Sequence, residues 1–80
     1  MNNHPKHQYY AQPSFPRPPF YDFWLKRYDV TQAQAVAKLH LDGVLSADTD
    51  QCRERVWAAA CRRAMRQKKK DADAQRVSQA

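Results

Sequence analysis

The side chains with the clearest chemistry are cationic, and they are concentrated in one stretch of the chain. Residues 51–70 carry eight of the 14 basic side chains and one acidic side chain, and the formal net charge of the protein is +6. If this stretch is helical, residues advance by about 100° each. Arginine and lysine side chains then line up on one side, flanked by Arg63 and Lys70. We call this line the cationic strip; it consists of Arg55, Arg62, Arg66 and Lys69.

The strip predicts an anionic partner, because the planar guanidinium group makes paired contacts with phosphates and carboxylates. Nucleic acid is favoured by the arginine content and by the one-sided arrangement. A membrane surface is less favoured, because the opposite side of the helix is mostly alanine rather than bulky apolar residues. A solvated face that only confers solubility is the simplest alternative.

We therefore expect a small nucleic-acid-binding regulatory or accessory protein, of the compact kind that phages and plasmids encode. The alternative is a protein-binding inhibitor or adaptor that docks on an acidic surface of a larger host protein. Charge alone does not separate the two, since an arginine strip binds phosphates and carboxylates equally well.

The N-terminal segment supplies a second set of candidate contacts. Residues 1–19 contain all five prolines and no leucine, isoleucine or valine. This composition is typical of an extended, mobile arm rather than a packed element. The arm either has no dedicated partner or docks through its aromatic side chains. The predicted arm contacts are Tyr9, Tyr10, Phe15 and Arg17.

No motif in the sequence predicts catalysis, a metal site or a cofactor. The chain has one glycine and therefore no glycine-rich phosphate loop. His4 and His7 have ligand-like spacing, but Pro5 interrupts them and no other ligand type is near in sequence. Cys52 and Cys61 would lie about 13 Å apart along one helix. That distance is too long for a disulfide, so we expect reduced thiols and a cytoplasmic protein.

Three helices are expected to position these groups. The first covers about residues 21–28, with Asp22 as its cap and an aromatic cluster in which Trp24 and Tyr28 lie at the rim of the core. The middle helix begins at a capping box formed by Thr31 and Gln34. It is predicted to end at Gly43. Its core face is expected to contain Ala33, Val36, Ala37, His40, Leu41 and Val44.

The segment from Thr31 to Ala37 resembles the opening helix of helix-turn-helix regulators. Such regulators join their two helices by three or four residues, whereas the connection from Gly43 to Asp48 is longer. The sequence is therefore not assigned to that family.

The third helix should cover about residues 49–69, with lysines 68–70 closing it. Its predicted apolar stripe is Val56, Trp57, Ala60, Cys61, Ala64 and Met65. The predicted fold is thus all-α, a small three-helix bundle of residues 20–70 with an N-terminal arm and a frayed tail of residues 71–80. A core this small is marginal alone, which leaves a homo-oligomer open.

Overall fold

The structure is a computed structural model that describes residues 15–79, with side chains as far as Arg76. Those residues form four helices and no strand, which confirms the all-α class. The fourth helix has 30 residues and is about 45 Å long. Each of the three short helices packs against it. The helices are α1 (Tyr21–Tyr28), α2 (Gln32–Val36), α3 (Leu41–Ser46) and α4 (Asp50–Gln79).

The first helix has the predicted bounds but not the predicted cap. Phe20 occupies the N-cap position with φ 60° and ψ 32°, in the left-handed region, and no side chain caps the helix. Asp22 lies in the first turn instead. At the other end, Asp29 is also left-handed, and the Val30 N–H donates to the Leu25 carbonyl at 3.0 Å. This is a Schellman ending, and it directs Val30 into the core.

The predicted middle helix is two helices. The capping box is confirmed, with the Gln34 N–H donating to Thr31 Oγ1 at 3.1 Å and the Thr31 N–H donating to Gln34 Oε1 at 2.9 Å. However, α2 ends at Val36, and Gly43 lies inside α3 without a positive φ. The prediction that Gly43 ends the helix is therefore wrong.

The buried residues of this segment also differ from the prediction. Ala35 is fully buried and Leu39 packs against the core, whereas Val36 and Leu41 are each 48% exposed. The predicted core face of the middle helix is thus out of phase.

The long helix has the predicted apolar phase. Thr49 begins it, because its hydroxyl accepts the Cys52 N–H at 3.1 Å. Trp57 is almost fully buried, stacks on Tyr21 with ring centroids 4.5 Å apart, and donates its indole N–H to the Tyr21 carbonyl at 3.1 Å. The other fully or nearly fully buried residues of this helix are Ala58, Ala60, Cys61 and Ala64.

The end of α4 differs from the prediction. Residues 71–79 continue the helix rather than fraying, and lysines 68–70 lie within it rather than at its end. Side-chain pairs one turn apart support this extension: Gln67 donates to Asp71 at 2.9 Å, and Arg76 pairs with Asp73 at 2.7 Å. A helix that is already nucleated propagates at low cost through such residues.

Part of the predicted arm packs on the helices. Phe15 is half-buried against the core, Pro18 is buried, and the Arg17 guanidinium lies 4.4 Å from the centre of the Tyr21 ring. Phe15 and Arg17, predicted as contacts for a partner, thus contact their own chain. Tyr9, Tyr10, His4 and His7 lie outside the described residues. Over the described part of the chain, no helix is long and apolar enough to cross a membrane.

Candidate nucleic-acid interface

The short helices cover two flanks of α4 and leave a third sector open. On one flank α1 is fixed by Trp24, which bonds to Glu54, and by Asp29, which pairs with Lys68. On the other flank, Lys38 after α2 donates to Gln67 at 3.2 Å. The side of α4 opposite its buried residues carries the cationic strip.

All four members of the cationic strip are exposed. From Arg55 to Lys69 the strip runs along about 21 Å of helix, at about 1.5 Å per residue. Lys70 is also exposed and lies beside it. The structure therefore brings together five of the six strip and flanking residues predicted from the sequence.

No residue of the strip forms an ion pair within the described part of the chain. The ion pairs found there join Arg53 to Asp50, Lys68 to Asp29 and Arg76 to Asp73. The cations outside the strip are thus partly neutralised by local carboxylates. The strip retains its positive charge for an external anion.

Arg63 is the sixth predicted residue, and the structure gives it a different role. Its side chain is half-buried, and its Nε and Nη2 groups donate to the Lys38 carbonyl at 3.1 Å and 2.6 Å. Burial lowers the pKa of this guanidinium, and the charge of Arg62 lowers it further. Arg63 thus supplies the donors for a backbone carbonyl in the turn after α2, and it is not part of the candidate interface.

A groove runs beside the strip, between α1 and α4. Its lining includes Trp24 on one side and Arg55 and Arg62 on the other. The Trp24 indole N–H donates to Glu54 Oε2 at 2.9 Å, which fixes the ring against α4. Glu54 is the acidic residue of the lining, so the groove carries one carboxylate beside two guanidinium groups.

Aromatic side chains continue from Trp24 across α1. The ring centroids of Phe20 and Phe23 lie 6.4 Å apart, those of Phe23 and Trp24 5.0 Å, and those of Trp24 and Tyr28 6.0 Å. The Arg27 guanidinium lies 5.7 Å from the centre of the Tyr28 ring. We call these rings the aromatic array; it consists of Phe20, Phe23, Trp24 and Tyr28.

The two ends of this array were not distinguished in the sequence analysis. Trp24 and Tyr28 are half-buried at the rim of the core, as predicted, but Phe20 is 66% exposed and Phe23 is 52% exposed. Helical spacing predicts this difference in exposure. Tyr21, Trp24 and Tyr28 share one face of α1, whereas Phe23 lies on the neighbouring face and Phe20 precedes the helix.

Among residues 15–79, the remaining reactive groups do not come together in a site. Cys52 and Cys61 are both free. Cys61 is buried, and this burial raises the pKa of its thiol to about 11. Burial also raises the pKa of Tyr21, although the nearby Arg17 opposes the shift. Among the described residues there is no group of three or more potential metal ligands.

Comparison of the chain with protein-family models, with curated proteins and with solved structures found no match. What the chain binds is therefore inferred from its own side chains. The strongest of these signals is the exposed strip of α4 beside the groove.

Proposed function

We propose that this chain is a small nucleic-acid-binding regulatory or accessory protein that works in the cytoplasm and contacts phosphates through its cationic strip. One observation carries the proposal: the strip is a line of four exposed cations without ion pairs in the described part of the chain. Three of them are arginines, whose fixed donors match phosphate oxygens.

The spacing of the strip suits a repeating polyanion. Arg55 and Arg62 are about 10.5 Å apart along the helix axis, and Arg62 and Arg66 are about 6 Å apart. Phosphates follow one another at about 3.4 Å of axial rise along a strand of duplex DNA. Each arginine can therefore contact a different phosphate. Contacts of this kind depend strongly on salt, because each neutralised phosphate releases bound counterions.

The test is the salt dependence of binding. Arg55, Arg62 and Arg66 are replaced together by glutamine, and binding to random-sequence DNA is measured by fluorescence anisotropy at several salt concentrations. The slope of log K against log salt is negative, and each lost contact should make it shallower by about 0.9 on duplex DNA, so the slope of the variant should be shallower by nearly three units. The control replaces Lys26, an exposed residue of α1 that lies away from the strip, with glutamine.

The control variant should keep the wild-type slope apart from a small general charge effect. We call the protein with all three arginines replaced the strip variant. If its slope of log K against log salt equals that of the wild type, the strip is not the phosphate-binding surface. Both variants should melt near the wild-type temperature. Exposed substitutions generally change stability by less than about 0.5 kcal/mol.

The second candidate function is an inhibitor or adaptor that binds an acidic protein surface. The observation that favours it is the exposure of Phe20 and Phe23, because aromatic residues are enriched in protein interfaces. Under this alternative the protein would bind neither duplex nor single-stranded nucleic acid at low salt. The strip variant would instead lose a protein partner.

A further inference from the structure

We propose that the ligand is a single-stranded nucleic acid whose bases stack on Phe20 and Phe23 while its phosphates contact the cationic strip. This inference rests on the proposed function and names its substrate class. It joins two features that adjoin in the structure, the strip of α4 and the aromatic array of α1.

The two features meet at Trp24. Trp24 lines the groove opposite Arg55 and Arg62, and the Phe23 ring packs edge-on against Trp24 at 5.0 Å. Phe20 extends the array one ring further, beyond the lining of the groove. A strand with its phosphates on Arg55 and Arg62 would thus have Trp24 and then the two exposed rings beside it. Proteins that bind single strands combine these same elements, a cationic groove and aromatic platforms.

The exposed rings contribute little to the packing of the chain itself. Phe20 and Phe23 are more than half exposed, although residues of this size are usually buried. Phe20 also occupies the left-handed backbone region, which is unfavourable for a bulky side chain. The exposure of both rings leaves them available to an external surface.

Stacking favours a single strand over a duplex. In a duplex the faces of the bases are covered by neighbouring base pairs, whereas an unpaired strand can present them to aromatic side chains. Phenylalanine has no group that donates or accepts a hydrogen bond, so the contact should tolerate any base sequence. The Glu54 carboxylate in the lining of the groove repels phosphates. The phosphates should therefore contact Arg55 and Arg62.

The experiment compares the full chain with a Phe20→Ala, Phe23→Ala double variant, using fluorescently labelled oligothymidine and a mixed-sequence duplex of equal length. Wild-type protein should bind the single strand more tightly than the duplex. The double variant should lose single-strand affinity on the order of a hundredfold, at roughly tenfold for each ring. Its duplex affinity should change less than about twofold, because the phosphate contacts remain.

The matched control is Leu45→Ala. Leu45 is an apolar residue on α3 that is 63% exposed and lies away from the groove. This variant should bind both ligands as the wild type does. The conservative double variant Phe20→Tyr, Phe23→Tyr keeps both aromatic faces and should retain single-strand binding. Circular dichroism checks that all variants are folded.

Two results would overturn this inference, and they have different meanings. If the strip variant weakens binding of both ligands but the phenylalanine variant binds the single strand as the wild type does, the stacking proposal fails and the proposed function stands. If the wild-type protein binds neither ligand at low salt, both proposals fail. The array would then be better explained as a protein contact.

Discussion

The two sides of α4 differ more than any other two regions of the molecule. On the inner side, Trp57, Ala60, Cys61 and Ala64 are buried or nearly so. On the outer side, the cationic strip is exposed along the same turns of helix. Since residues one position apart belong to different sides, folding and binding should be separable by point substitutions within a single helix.

Arg62 and Arg63 show this separation most sharply. They are identical in type and adjacent in sequence, yet Arg62 is exposed and Arg63 donates twice to the Lys38 carbonyl. A count of basic residues treats them as equivalent. Their neighbours in the fold determine which of them is available to an anion.

The largest expected effect comes from the inner side. Replacing Trp57 with alanine removes the stacking on Tyr21 and the indole hydrogen bond, and it leaves a cavity. The cost should be about 3–5 kcal/mol. That loss is comparable with the whole stability of a small domain. Thermal unfolding followed by circular dichroism should show a largely unfolded variant at 25 °C.

Trp24→Ala is the control for this first prediction. Trp24 is half-buried, so its truncation should lower the melting temperature but leave the protein folded. A Trp57→Ala variant that melts as the wild type does would contradict the assignment of the inner side.

The second prediction compares the two adjacent arginines. Arg63→Ala leaves the Lys38 carbonyl without its donor and should cost about 1–3 kcal/mol in the free energy of unfolding. Arg62→Ala should cost less than about 0.5 kcal/mol. Duplex binding should show the reverse order. The negative slope of log K against log salt should become shallower by about 0.9 for Arg62→Ala only. Equal stability losses at the two positions would remove the distinction between the sides.

The third prediction is that replacing Phe20 with glycine raises stability but weakens binding. Phe20→Gly relieves the left-handed backbone strain and should stabilise the fold by about 0.5–1 kcal/mol in chemical denaturation. Its affinity for a single strand should fall, because one stacking surface is lost. Phe20→Ala keeps the backbone strain and should leave stability nearly unchanged. A glycine variant no more stable than the alanine variant would argue against strain at this position.

The smallest effect is expected from the thiols, and it appears only at alkaline pH. The pKa of Cys61 is raised from its ordinary value of 9.0 to about 11 because burial penalises the thiolate. The folded state therefore retains this proton more strongly than the unfolded state. The stability from this group is complete below pH 9 and decreases as the pH rises towards 11.

Two measurements check the thiol prediction. Cys61→Ala should flatten the decline in unfolding free energy over that pH range, with Tyr21 contributing what remains. Alkylation of the native protein at pH 8 should modify Cys52, which is only half-buried, well before Cys61. Rapid modification of both thiols without denaturant would mean that the inner side opens readily.

The features that the sequence predicted correctly have local causes. The bounds of α1, the capping box at Thr31 and the phase of Trp57 follow from residues within one or two turns of each other. The turn after α2 has a long-range contact, because Arg63 donates to the Lys38 carbonyl from 25 positions along the chain. A local sequence pattern does not reveal such a contact. The end of the middle helix was predicted at Gly43 only because glycine often ends helices, and that prediction is wrong.

The candidate site could be predicted in part. Helical spacing was sufficient for the strip, but it did not reveal that Arg63 is used within the fold. The Asp73 and Arg76 spacing in the tail was visible and should have favoured a longer helix. The same wheel applied to α1 separates Phe20 and Phe23 from the buried aromatic face, so their exposure was also accessible from the sequence.

The length of α4 has a consequence for its motions. Lys68 is the last residue for which a bond to α1, α2 or the adjoining turns is described, and the side chains from there to Arg76 are exposed. A single helix should therefore show a gradient of amide hydrogen exchange. Amides near Trp57 should exchange only on global unfolding, whereas those beyond Ala72 should exchange through local opening that costs much less. The terminal turns would exchange on their own timescale, independently of the segment that carries the strip.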